Sequence, residues 1–420
     1  MTPGSDLLIE AITTMNENAI SKTNNLLLVL GEQGEHSKAT EALAERFCGV
    51  VERQNARVNS GDYKRVYVCG DIGLLSDELV GCRVIEDLSS NVPADLEARG
   101  HERVTSGQVP LSIHSVGVLY ERFFEEEDLF KRIQGEHEFQ HLTESTKQSK
   151  ALRTGIYLTD ITREVDEQER EVLRYRLLRC SSNLTGPTDN FRETDRMIMR
   201  GINDAARDVF EQETSLNHVL AQIYENTKDD DERGRERKAK ISAHSDKTKD
   251  MREDGLIAFC TFYDPEGFEH LAPSGDDPRD WCYKSTSGLT RLRFKLKPDV
   301  DEPGLAKTFE VTLYPNSVFI IPLSTNRLYT HAIKPSHLNV DRIPTRMGYV
   351  ARSSKAEALF VDGQTFLEED GTLRKLEPMT RERLAALRDS YYKENATAEE
   401  VAYGEVRFSM NQGDYQKPIL

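Results

Sequence analysis

The stretch Lys240-Ile241-Ser242-Ala243-His244-Ser245-Asp246-Lys247 carries the decisive reading of this 420-residue chain. In an extended segment, residues i and i+2 project to the same side, so His244 and Asp246 are expected to converge on one point. A third donor, His331, enters 87 residues later. Two imidazoles and one carboxylate on one face leave three positions open on an octahedral ferrous ion, the facial triad of non-haem iron oxygenases. An HxD pair alone is weak evidence, and a lone His331 would normally read as a hydrogen-bonded core histidine. The weighting changes downstream, at Arg346-Met347-Gly348-Tyr349-Val350-Ala351-Arg352. Six residues is an even step, so along a strand both arginines face one side. A guanidinium grips a carboxylate through parallel charge-assisted bonds, and a buried arginine pair beside a metal implies a dicarboxylate ligand. Surface arginines on an edge strand are the alternative.

Outward from this core, short strands are predicted at His218–Tyr224, Ile241–His244, Leu256–Phe262, Leu292–Leu296, Phe309–Leu313, Val318–Pro322 and Met347–Ala351. Turn residues separate them, which indicates a sandwich or jelly roll. Upstream, the pattern predicts helices over Val116–Phe139, Asp160–Arg179 and Asp195–Phe210, with an extended run at Gly155–Thr159. Residues 1–110 read as an α/β region: strand Leu26–Leu30, helix Ser37–Val51, strand Arg65–Cys69. The turn Gly31-Glu32-Gln33-Gly34 has neither GxGxxG spacing nor a following GK[ST], so it reads as a βα turn rather than a phosphate loop. A helix is expected from Thr380 in a mixed C-terminal extension, 361–420. The run Lys228–Lys240, acidic and then basic, reads as a solvated loop.

Composition narrows the function classes. Apolar residues are 37% and charged residues 30%, with net charge −17. Such a field disfavours a histone-like mode of nucleic-acid binding but leaves room for a local basic site. The longest aliphatic run is five residues, far short of the roughly 20 a membrane helix needs. With a start that lacks the basic and apolar segments of a signal peptide, a soluble intracellular protein (cytoplasmic or nuclear) without membrane association is expected. Six scattered cysteines without a CxxC pair read as reduced thiols.

Taken in order, these pieces resemble the AlkB family of iron- and 2-oxoglutarate-dependent dioxygenases. Leu220-Ala221-Gln222-Ile223-Tyr224 is similar to the strand bearing that family's Asn-x-Tyr pair, although Gln222 replaces the Asn. Residues 240–247 resemble its first metal strand. Ser317–Ile321 with Asn326-Arg327-Leu328-Tyr329-Thr330-His331-Ala332-Ile333-Lys334-Pro335 resemble its second. Arg346 to Arg352 reproduces its Arg-x5-Arg. The resemblance spans about residues 116–355 and is specific in the second half of that range.

It implies an α+β fold whose oxygenase core, about 217–355, is a double-stranded β-helix (jelly roll). That core lies within a dioxygenase domain, 111–360, flanked by helices, the N-terminal α/β region and the C-terminal extension. It implies Fe(II) on His244, Asp246 and His331, and 2-oxoglutarate held by Arg346 and Tyr224, with Gln222 nearby. Arg352 would lie beside the iron-chelating end or the substrate, and O2 would be the co-reactant. The expected reaction is hydroxylation of a C–H bond, such as a methyl on a modified base in DNA or RNA, with demethylation if the methyl is on nitrogen. Bacterial members of the family read the base with an acid where this chain has Thr248, and an insertion occupies 264–307. Tyr157 is a candidate for stacking on a flipped base, or an ordinary packed tyrosine. A hydroxylase of a small metabolite or protein side chain, and a non-catalytic binding module, remain as other readings.

Overall fold

Leu26 to Leu30 is apolar at every position, the pattern of a strand buried on both faces of a parallel sheet. The computed structural model describes residues 20–32, 36–53, 60–143, 150–180, 184–211, 214–228 and 234–420. In it, Asn25–Leu30 is wholly buried within a five-stranded sheet. The order across that sheet is Val50–Arg53, Asn25–Leu30, Arg65–Asp71, Arg83–Ser90, Glu102–Val104, all parallel. One face packs Leu27, Val29, Tyr67 and Ile85 against Leu43, Ala44 and Phe47, and the other packs Leu26, Leu28, Val68 and Val84 against Ile72, Leu75 and Leu96. Ser37 caps the intervening helix by accepting from the Thr40 N–H. That helix, Lys38–Arg46, is shorter than the predicted Ser37–Val51. A Cβ on Gly49 would lie 2.4 Å from the Asn25 carbonyl oxygen, so the chain passes too close to the sheet to stay helical, and Val50 and Val51 enter an edge strand. The Gly31–Gly34 turn, the first six residues and Asp229–Arg233 fall wholly or partly outside the described residues.

The chain divides into two compact units. This sheet belongs to the first, which comprises 1–125, 202–213 and 317–322; the second comprises 126–201, 214–316 and 323–420. In the first unit, Ser317–Pro322 pairs antiparallel with Gly117–Tyr120. The helix predicted over Val116–Phe139 is therefore confined to Leu129–Glu136. Valines alternate with Gly117, whose missing side chain admits Phe319 (a Cβ there would lie 2.6 Å from its ring), and helical spacing of apolar residues holds only from Leu129.

In the second unit, the helix expected over Asp160–Arg179 is instead a hairpin of Thr162–Val165 and Glu171–Leu177. Leu173, Tyr175 and Leu177 are buried while Arg174 and Arg176 between them are not, a period of two that the charge density had masked. The hairpin continues through Ala356–Val361, Gln364–Glu369 and Thr372–Lys375 into a five-stranded antiparallel sheet. The helices Glu193–Val209 and Arg381–Ala396 match expectation, the latter capped by Thr380. No helix among the described residues is long and apolar enough to cross a membrane. All six cysteines are free thiols.

Two further antiparallel layers of the second unit frame the site. One runs Lys150–Thr159, His218–Tyr224, Arg346–Arg352, Leu256–Tyr263. The other runs Ile241–His244, Tyr329–Lys334, Arg291–Leu296, Thr308–Thr312. Phe259 of the first meets His331 of the second edge-on at 5.4 Å between ring centroids, so these two faces look at each other. The strands expected after Asn217 all form, within a residue or so at each end.

Candidate metal centre

Antiparallel pairing sets His244 directly opposite His331. Their ring centroids are 4.5 Å apart. Asp246 completes the cluster, with its Oδ1 at 3.6 Å from His244 Nε2 and 3.8 Å from His331 Nε2. The strand ends at His244, however, so the pleat does not aim Asp246. Asn326 does: its Oδ1 accepts from the Asp246 N–H at 2.8 Å, and its Nδ2 donates to the Asp246 carbonyl at 2.9 Å. The carboxylate is oriented from the other side. Arg352 donates through Nε and Nη2 to Oδ2, both at 2.8 Å, which leaves Oδ1 facing the imidazoles.

The donor atoms are turned so as to suit a cation. A carbonyl only accepts, so His244 Nδ1 donates in its 2.9 Å contact with the Ser242 carbonyl, and Nε2 is the ring nitrogen turned toward Asp246. Burial pushes the His331 pKa down to about 3, so this ring is neutral. Burial alone would raise the pKa of Asp246, but the Arg352 guanidinium outweighs it and holds the carboxyl well below its usual range. Two imidazoles and one carboxylate, with donor atoms all within 4.8 Å of one another, form a set that could hold a metal ion.

The facing sheet supplies the rest. Strand register places His218, Leu220, Gln222 and Tyr224 on the same face as Arg346, Gly348, Val350 and Arg352, and as Ile257, Phe259, Thr261 and Tyr263. Tyr224 donates from its hydroxyl to Gln222 Oε1 at 3.2 Å. The Arg346 guanidinium lies 4.0 Å above the Tyr224 ring and extends over Gly348, where a Cβ would come within 3.0 Å of Nη1. Arg346 is only 4% exposed, yet its Nε and Nη2 have no hydrogen-bond partner among the described residues, nor has the nearby buried Thr261 hydroxyl. A buried guanidinium without an anion is costly, and a bound carboxylate would satisfy it. The two arginines do not act as a pair. Six residues along a strand separate them by about 20 Å, and Arg352 is committed to Asp246 rather than free for a cosubstrate or substrate.

The remaining candidates lie elsewhere. Tyr157 is 3% exposed and packs edge-on against His218 at 5.0 Å, a core residue with no open face for a base. Thr248 donates both its backbone N–H and its hydroxyl to Glu394 of the C-terminal helix. A cavity of about 780 Å³ borders Thr248, Asn326 and Glu394, but none of the three donors lines it. Thr261, Asn326, Glu394 and Asn395 also lie at the site or at the loop that carries Asp246. Asn326 lies in a stretch similar to the family's second metal strand, whereas nothing local marks the others.

A second cluster, Glu136, His137 and Asp195, also brings its donor atoms within 4.8 Å of one another. Both ring nitrogens of His137 are engaged there, Nδ1 with Asp189 at 2.8 Å and Nε2 with Asp195 at 2.7 Å. Burial pushes the imidazole pKa down, but these two carboxylates outweigh it and lift it to about 9. The imidazolium is itself the cation of this cluster.

Neither a protein-family model nor a curated protein matches the sequence. Among solved structures, the one titled "The structure of OsALKBH1" is similar over 56% of this chain and 96% of its own length. The identity is 14% and the TM-score 0.32. A likeness that slight carries no argument, and the functional reading rests on the site.

Proposed function

We propose that this chain is an Fe(II)- and 2-oxoglutarate-dependent dioxygenase of AlkB-like, jelly-roll type. One juxtaposition carries the reading: a His244–Asp246–His331 donor set faces a sheet whose buried Arg346 lacks an anion. In this reading His244 Nε2, Asp246 Oδ1 and His331 Nε2 hold the metal. Arg346 takes the distal carboxylate of 2-oxoglutarate, with Thr261 and Tyr224 beside it. Arg352 neutralises Asp246 and keeps its second oxygen away from the metal. Phe259 and Ile257 exclude water from the inner face. Iron so held supplies redox chemistry, coupling decarboxylation of 2-oxoglutarate by O2 to hydroxylation of a C–H bond. On an N-methyl group the hydroxylated product would release formaldehyde.

The proposed substrate is a methylated base in DNA or RNA. The solvent face of the sheet whose inner face bears both histidines supports it. Arg291, Arg293 and Lys295 project outward from one strand, with Lys334 opposite Arg291 and exposed Lys240 just ahead of the strand Ile241–His244. Glu310 is the acid facing them, 3.8 Å from both Arg291 and Arg293. In a chain of net charge −17 this is a local basic surface that suits a phosphate backbone. One observation favours hydroxylation of a small metabolite or protein side chain instead: Thr248 is bound to Glu394 and cannot read a base edge as the structure stands.

The test is anaerobic titration with Fe(II), followed by 2-oxoglutarate turnover. Wild-type chain is expected to bind one ion and to make succinate, and Asp246→Ala to do neither. Equal metal content and turnover in Asp246→Ala would reject the proposal.

A further inference from the structure

Residues Ser245 to Thr248, which carry the Asp246 carboxylate, belong to no strand or helix. Their backbone N–H groups therefore need partners from elsewhere. Ser245 N–H donates to Asn395 Oδ1 at 2.7 Å, Asp246 N–H to Asn326 Oδ1 at 2.8 Å, and Thr248 N–H to Glu394 Oε1 at 3.0 Å. Two of these three acceptors come from the last turn of the helix Arg381–Ala396, about 150 residues downstream.

That turn is itself fixed. Asn395 Nδ2 donates to the Tyr391 carbonyl at 2.9 Å, which orients the amide so that its oxygen faces Ser245. Glu394 is 6% exposed and accepts from the Thr248 and Tyr403 hydroxyls. Buried Lys297 donates to the Glu394 and Thr397 carbonyls at 2.6 and 3.0 Å, holding the helix C-terminus. Lys247 Nζ reaches the Tyr391 carbonyl at 3.3 Å. Contact between helix and loop is thus polar and directed, residue by residue, at the segment on either side of the candidate ligand.

We infer that Glu394 and Asn395 are positioning residues of the metal centre, and that the C-terminal helix is part of the site. They set the backbone from which Asp246 projects, while Asn326 and Arg352 set its direction. This inference rests on the proposed reading of His244, Asp246 and His331. Groups that orient metal ligands without touching the metal typically change affinity by about 10- to 100-fold when removed.

The experiment titrates the 420-residue chain with Co(II), following the visible absorption of the bound ion, and records thermal unfolding of the metal-free protein. Glu394→Ala and Asn395→Ala are each expected to weaken Co(II) by about tenfold or more and to alter its spectrum. Glu394→Gln keeps the acceptor oxygen and should restore both affinity and spectrum. Leu387→Ala, on the same helix but away from the loop, should lower the melting temperature and leave the Co(II) spectrum unchanged. If an alanine variant does not fold, Lys297→Met loosens the same helix turn without touching the loop. Weaker Co(II) binding in it supports the inference, and unchanged binding overturns it. If the alanine variants bind like wild type while Asp246→Ala does not bind, the inference falls and the centre stands. If wild type takes up no Co(II), or Asp246→Ala binds it equally, the reading of the centre falls with it.

Discussion

Arg346 is the residue with the sharpest consequence. Its side chain is buried, stacked on Tyr224 and short of acceptors, so most of its interaction energy is available to a ligand. A charge-assisted hydrogen bond is worth roughly 1.5–3 kcal/mol. Arg346→Ala is therefore expected to weaken 2-oxoglutarate by about ten- to a hundred-fold in equilibrium dialysis, with metal affinity unchanged. Gly348 gives an independent check. A Cβ there would crowd the guanidinium at 3.0 Å, so Gly348→Val should displace it and weaken 2-oxoglutarate without touching the metal donors. Unchanged cosubstrate affinity in both variants would show that Arg346 serves only the fold. The even Arg346–Arg352 step was legible, because alternation along a strand is a local rule. The division of labour between them was not, since it depends on Asp246 arriving from another element.

Among the elements, His137 is a junction. It follows the helix Leu129–Glu136 and joins Asp189, on the short strand Asp189–Asn190, to Asp195 in the first turn of the helix Glu193–Val209. Asp195 also accepts from the Tyr349 hydroxyl on the strand Arg346–Arg352 at 3.0 Å, so this buried network reaches the strand that carries both site arginines. Because the folded pKa, about 9, lies above the ordinary value of 6.5, the stabilisation is complete below pH 6.5 and is lost as pH rises through 9. Its size is about 3 kcal/mol. Melting temperature should accordingly fall between pH 7 and about 9.5, and much less so in His137→Ala. That variant leaves two carboxylates without their buried cation and should cost about 3–5 kcal/mol near neutral pH by urea denaturation. A flat melting profile in the wild type over this range would remove the junction from the account. In the sequence, His137 reads as part of the helix predicted over Val116–Phe139.

For the whole molecule, the contrast is between a net charge of −17 and the basic outer face of the sheet bearing His244 and His331. If nucleic acid is the substrate, binding of a methylated oligonucleotide should weaken steeply with salt. Each phosphate contact removed should flatten the slope of log affinity against log salt by roughly 0.7–0.9. Replacing Arg291, Arg293 and Lys295 together by Ala should weaken oligonucleotide binding and flatten that slope, while 2-oxoglutarate binding stays as it was. Salt-independent binding, or binding indifferent to the triple change, would favour a small-molecule or protein substrate.

Residue chemistry and local period are properties of neighbours in the chain, and they were readable directly. The alternating strands from His218 onward, the capped helix at Thr380, the HxD pair with His331 and the two arginines all follow from them. Partnership is different, because a polar group takes whichever buried neighbour the packing leaves within reach. Asn326 aims Asp246 across 80 residues, Arg352 orients its carboxylate across 106, and Asn395 fixes the loop across 150. The same holds for Arg174 and Arg176, whose dense charge concealed a strand until Leu173, Tyr175 and Leu177 had a sheet to face. Which atoms could bind a metal was written in the order of residues. Which of them meet, and what holds them, depended on satisfying every buried polar group at once.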